Sequence, residues 1–215
     1  MGTKTIPFTL NIGSAAKPTI NSFTVTASNP TGTISALQSY FVQDKTTPKW
    51  SASVQGKAGA TIKRLVVSYS GSETKTTNSL SKSETSVSVS NIASAIPQKF
   101  GTLKFTLTVT DSRGLTQTTS TSKTVYAYSK PVAYSPDYYR CLENGTRDDT
   151  QGIYLVGDMT TSVASINGKN TKTISMTISS QSGSKTFTKT KLAVKDYQVP
   201  ITGATIKVTV TDGLN

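Results

Sequence analysis

Apolar residues recur at every second position along much of this chain, in short runs separated by clusters of glycine, serine, threonine, asparagine and proline. Leu103, Phe105, Leu107 and Val109 alternate with Lys104, Thr106 and Thr108, and Ile206, Val208 and Val210 alternate with Lys207 and Thr209. A period of two sets one face of a strand against a core and the other in water, whereas a helix would need a period of 3.6. Both runs break at an aspartate with a glycine close behind it, LTVTDSRG at 107–114 and VTVTDG at 208–213, where the Asp/Gly pair supplies a turn. The echo predicts tandem copies of one β unit.

In the first unit the pattern predicts strands near 20–27, 36–43, 49–55, 62–70, 85–90, 102–110 and 115–126. Seven strands at that spacing predict an immunoglobulin-like or fibronectin-like sandwich, with Trp50, Ala52 and Val54 turned inward and Trp50 filling the core. A linker is expected at YAYSKPVAYSP, 126–136, stiffened by Pro131 and Pro136. In the second unit strands are expected near 138–142, 152–159, 163–166, 172–179, 185–194 and 204–211. The counterpart of 115–126 is missing from that set. The predicted fold class is therefore all-β, two tandem sandwiches, the second lacking a final strand, and an incomplete sandwich exposes an open edge. Two explanations follow: a longer protein of which this chain is a fragment, or a strand donated by another subunit through β-augmentation. Ahead of both units, Ile6, Phe8, Leu10 and Ile12 share one face of a short strand over 4–12, joined by GSAAKP at 13–18. That strand suits pairing with the first unit or with a neighbouring subunit. The expected domains are 1–16 (strand and linker), 17–127 and 128–215.

Composition agrees with strands. Serine and threonine are abundant, no run reaches the 18 apolar residues of a membrane span, and MGTKTIPFTLNIG lacks the apolar core of a secretory signal. A soluble protein made in a cytoplasm is expected. The single cysteine, Cys141, forms no internal disulfide. The 23 lysines and arginines outnumber 11 acids, for a net charge of +12. Only Arg64, Arg113, Arg140 and Arg147 are arginines, and the lysines are spread along the chain, unlike the concentrated cations of a nucleic-acid reader. Lys185, Lys189 and Lys191 share parity and would form a basic stripe on a strand; such lysines protect an exposed edge, and they also permit attraction to an anionic cell-wall polymer.

Catalytic chemistry has few carriers. Without histidine there is no Ser-His or Cys-His pair and the commonest metal ligand is absent, and no glycine loop of phosphate-binding type occurs. Glu143, Asp148, Asp149 and Asp158 are the only local group of acids, a minimal basis for glycosidase or calcium chemistry. The group follows no calcium-loop spacing and is interrupted by Arg147, so turn and ion-pair roles are expected, with no catalytic residue, cofactor or metal. The NGT at 144–146 matches a glycosylation sequon that matters only in a secreted eukaryotic protein. Tyr138 and Tyr139 are the most plausible aromatic platform for a glycan, beside the alternative that they pack at the domain junction.

The run YFVQDKTTPKWSASVQGKAGATIKRLVVSYSG at 40–71, then LTVTDSRG, then YSKPVAYSPDYYRCLENGTRDDTQGIYLVG at 128–157, resembles a family of siphophage minor structural proteins, tail-tip or tail-fibre-like, from phages and prophages of Firmicutes. The last segment matches an R-C-x-x-x-G-x-x-D-x-x-G-x-Y pattern at Arg140, Cys141, Gly145, Asp148, Gly152 and Tyr154. Asp44 stands where the pattern has glycine. The resemblance covers roughly 20–215 and implies a noncatalytic virion protein in the phage tail, with immunoglobulin-like modules acting as spacers or in host attachment. Implied partners are other virion proteins, further copies of the chain and a host wall polymer, with no membrane. Alternatives of another class are an adhesion module for Gram-positive wall glycans and a capsid or tail-tube decoration protein.

Overall fold

A computed structural model describes residues 13–200 and 202–214, together with Thr3, Thr5 and Pro7. The apolar positions of the strand expected over 4–12 lie outside the described residues. The chain is all-β and divides into two compact units, Met1–Ser28 with Ser39–Tyr126, and Asn29–Gln38 with Ala127–Asn215. The segment Asn29–Gln38, which the sequence pattern had placed inside 17–127, thus groups with the second unit. Among the described residues no helix is long and apolar enough to cross a membrane.

The first unit is a two-layer sandwich. Strands β1 (Thr19–Ser28), β2 (Phe41–Val42), β3 (Thr47–Gln55), β4 (Ile62–Gly71), β5 (Lys75–Ser81), β6 (Ser86–Ala93), β7 (Gly101–Asp111) and β8 (Thr116–Tyr126) form sheets of order β1-β3-β6 and β2-β8-β7-β4-β5. Trp50, Ala52 and Val54 of β3 and Val87 of β6 meet Leu65, Val67, Phe105 and Leu107 of the other sheet in one core. Trp50 is fully buried, and its indole N–H, which burial would otherwise strand, donates to Asn78 Oδ1 at 2.9 Å. In place of the strand expected over 36–43 there is a 3-10 turn at Ser35–Leu37 and then two-residue β2, which pairs in parallel with the end of β8. The strand stops because Thr46 folds back, its hydroxyl accepting from Val42 N at 2.8 Å and donating to Tyr40 O at 3.1 Å. Asp44, the glycine position of the family pattern, has φ 59° in this turn, a conformation that aspartate tolerates better than most residues.

The second unit contains β9 (Val132–Cys141), β10 (Tyr154–Ser162), β11 (Lys172–Ser180), β12 (Gly183–Phe187) and β13 (Thr205–Asp212), in sheets β10-β9 and β12-β11-β13. Leu155, Met176 and Ile178 pack with Leu192, Tyr197 and Val199 from the irregular stretch after β12. Three expectations change here. β9 runs back through the last part of the expected linker, from Val132, because Ser135 at φ 51° and Pro136 sit where the register against β10 shifts, and a bulge spares proline a ladder N–H. The strand expected over 163–166 is a loop, with Ile166 and Asn167 at φ 44° and 55° and Asn170 Nδ2 donating to Ala164 O at 2.7 Å. The strand expected over 185–194 ends at Phe187, and Leu192 exchanges backbone hydrogen bonds with Gly157 instead.

Candidate functional site

The six residues of the R-C…G…D…G-Y pattern converge on one corner of the second unit. β9 delivers Arg140 and Cys141, and β10 begins at Tyr154, which pairs with Cys141. Between them Asp148 builds the turn: its Oδ1 accepts from Thr150 N at 3.0 Å and Gln151 N at 2.8 Å, its own N–H donates to Arg140 O, and its carbonyl accepts from Gly152 N. Gly152 is pressed so close that a Cβ would stand 2.4 Å from Asp148 O and 2.6 Å from Cys141 N. The Arg140 guanidinium closes the corner, donating to Gly152 O at 3.1 Å and to Pro200 O. Cys141 is fully buried, and burial pushes its thiol pKa up, away from the reactive thiolate. The Arg140 guanidinium and Asp148 Oδ1 both bond to backbone.

LTVTDSRG forms the corresponding lock in the first unit. The inward parity of β7 carries on past Val109 to Asp111, which is therefore a buried carboxylate. Its Oδ1 accepts from Arg113 N and Leu115 N, both at 2.9 Å, and its Oδ2 from Arg113 Nε at 3.1 Å and Nη2 at 2.7 Å. Burial alone would raise the Asp111 pKa; the hydrogen bonds from the Arg113 side chain and the backbone of Leu115 and Arg113 outweigh it and hold the carboxyl below its ordinary value. Arg113 Nη2 also donates to Ala16 O at 2.6 Å, tying the start of the described chain to this turn.

The acids expected to serve turns and ion pairs are placed there. Glu143 pairs with Lys195, Asp149 accepts from Arg147 Nε at 3.0 Å, and Asp158 Oδ1 accepts from Met159 N at 2.7 Å. Among the described residues no group of three or more His, Cys, Asp and Glu could hold a metal ion.

Tyr138 and Tyr139 do not make a shared platform, because neighbours on a strand face opposite sides. Tyr138 packs against the core and donates its hydroxyl to Thr190 O at 2.6 Å, while Tyr139 lies under the Arg147 guanidinium at 5.1 Å. Nor do the three lysines form a strand stripe, since β12 ends before two of them. Lys185 donates to Asp196 O at 2.9 Å and stands over the Phe187 ring, Lys189 pairs with the Asp196 carboxylate at 2.6 Å, and the Lys191 charge adds to the hydrogen bonds from the Thr190 side chain and the Met159 backbone that hold Asp158 below its ordinary pKa. They act mainly as local clamps on the irregular stretch between β12 and β13.

One concave surface of the first unit has the chemistry the tyrosine pair was expected to supply. β2 and the end of β8 set Tyr40 and Tyr126 in tilted contact, centroids 5.3 Å apart, beside Lys123, Ser122 and Thr124, around a cavity of 340 Å³. Aromatic faces flanked by hydroxyls and an ammonium group suit a hydroxylated or anionic ligand. The sequence reading missed it because Tyr126 reads as linker and the parallel β2–β8 pairing leaves no periodic signal. No protein-family model matches the chain, and no curated protein matches it.

Proposed function

We propose that this chain is a noncatalytic structural protein of a phage virion, tail-associated, whose tandem immunoglobulin-like units act as spacers or host-attachment modules. The observation that carries the reading is the corner around Arg140: the residues forming the signature of the siphophage-like segment are used to lock backbone, as Asp111 and Arg113 are in the first unit. A signature spent on architecture supports a role in which shape is the function, and the resemblance supplies the setting. Immunogold labelling of virions with an antibody against this chain is expected to decorate the tail. Unlabelled particles alongside labelled free protein would refute the proposal.

A second reading, an adhesion module for wall glycans, draws on the Tyr40–Tyr126 cavity. It calls for binding on a glycan array or to purified wall polymer that is lost in Tyr40→Ala and Tyr126→Ala and kept in Tyr139→Ala. Silence on both surfaces removes it.

A further inference from the structure

β8 breaks a rule that its neighbour β7 keeps. Gln117, Thr119, Thr121 and Lys123 of β8 stand opposite Val109, Leu107, Phe105 and Leu103 of β7, so both rows share the core-facing side of the sheet. The four β7 residues are each 0 % exposed, whereas on β8 this side is polar until Val125, and Thr119, Thr121 and Lys123 are half-buried. Across from β8 lies β1 of the other sheet, so the polar row runs along the seam where the two layers of the first unit meet.

A concave surface opens at each end of the row. At one end a cavity of 440 Å³ is lined by Gln117 and Thr119 with Ile20, Lys17 and Lys57. At the other, the 340 Å³ cavity holds Lys123 beside Tyr40 and Tyr126, with the ammonium group 5.9 Å from the centroid of the Phe41 ring. No aspartate or glutamate lines either cavity, and among the described residues none of the three lysines pairs with a carboxylate. A half-buried cation on the core-facing side of a strand, with no counter-charge, has lost hydration that a bound anion would replace.

We propose that this seam binds a linear polyanion, a polyol or sugar polymer with one negative charge in each repeat, laid along β8 from Lys17 and Lys57 to Lys123. Ammonium groups are point charges that accept phosphodiester and carboxylate alike. Between them the hydroxyls of Thr119 and Thr121 and the amide of Gln117 offer hydrogen bonds, and Tyr40 and Tyr126 offer faces for the apolar side of a repeat. From Gln117 to Lys123 the strand spans about 20 Å, so the occupant is extended and a single anion reaches one end only. The inference rests on the adhesion reading in taking the Tyr40–Tyr126 cavity as a ligand site, and adds to it the charge of the ligand, its length and the second cavity.

Calorimetric titration of the full chain with a glycerol phosphate hexamer, a galacturonate hexamer, a neutral N-acetylglucosamine hexamer and monomeric glycerol phosphate tests it. At least one charged hexamer is expected to bind, and which one does so tells phosphodiester from carboxylate. Its affinity should exceed that of the monomer by about 10-fold or more and fall as salt is raised. The triple variant Lys17→Gln, Lys57→Gln, Lys123→Gln should weaken it by about 10-fold or more, the sum of three modest ion pairs. Lys75→Gln, Lys99→Gln, Lys207→Gln makes the same change of net charge at exposed lysines that line neither cavity, and should stay within about 2-fold of the native chain. The urea midpoint read by Trp50 fluorescence confirms that both variants are folded. Equal weakening in the two triple variants overturns the proposal, and so does a monomer that binds as tightly as the hexamer. Binding of the neutral hexamer alone, lost in Tyr126→Ala and kept without the three lysines, overturns it and leaves the adhesion reading standing; silence towards every probe removes both.

Discussion

Asp111 is a carboxylate with none of its side chain exposed, placed at the inward position where the alternation of β7 would otherwise put an apolar residue. Replacing it with alanine removes the acceptor of two backbone N–H groups and of both bonds from a guanidinium that is itself 35 % exposed. A buried donor left without a partner costs about 1–3 kcal/mol; at a turn the lower end applies, about 1 kcal/mol for each N–H and another 1–2 kcal/mol for the charge-assisted pair. Asp111→Ala is therefore expected to destabilise the first unit by about 3–4 kcal/mol. Asp111→Asn, which keeps a neutral acceptor for the two N–H groups, is expected to cost about 1–2 kcal/mol. Urea denaturation followed by Trp50 fluorescence reads this unit specifically, because the chain has one tryptophan and it lies in that core. Asp149→Ala is the control, an equal change of charge at an ion pair exposed on both sides, and should leave the midpoint unmoved.

The same contact has a signed dependence on pH. The folded carboxyl of Asp111 titrates below its unfolded value of about 4, so its stabilisation is present above that pH and fades as pH falls through the folded pKa. The gap between native chain and Asp111→Ala should accordingly narrow in acid. An alanine variant within about 0.5 kcal/mol of the native chain at neutral pH, or a gap that widens in acid, would refute the reasoning.

Three further outcomes are expected. Gly157→Ala should separate β9 from β10, since Gly157 has φ 149° and a Cβ would stand 2.0 Å from Asp137 O and 2.7 Å from Tyr138 Cα; a loss of more than about 3 kcal/mol, seen as exchange of β9 and β10 amides, checks it. Cys141 should be unreactive towards a thiol reagent in the native chain and titrate one-for-one in denaturant, because it is wholly buried and its thiol pKa is raised by burial; rapid native labelling would contradict that. Tyr69 should be the last tyrosine to ionise in an ultraviolet titration, near pH 12, raised by burial and then by Glu73; because the folded value exceeds the unfolded one of about 10, stability present below pH 10 is lost as pH climbs towards 12.

What the sequence by itself determined were the elements whose two faces differ. β3, β4 and β7 bury every second residue or nearly so, and their alternation alone located them and made the chain all-β. β5 went unread because KTTNSLS holds a single large apolar residue, Leu80; it is a strand because the edge of β4 gives its backbone a ladder, a cause outside its own residues. The same holds for β2, two residues recruited by the end of β8. At the candidate sites the sequence named chemistry and the tertiary structure decided its use. Arg140, Asp148 and Gly152 were legible as a motif, yet only the fold turned them onto one another's backbone. Tyr138 and Tyr139, adjacent in sequence, were parted by the strand's own alternation, while Tyr40 and Tyr126, far apart in sequence, were brought to 5.3 Å by a parallel pairing that no local pattern encodes. Periodicity is a property of one segment and survives in the sequence; which segments become neighbours depends on the whole chain closing over its cores, and that is where the locked corners arise.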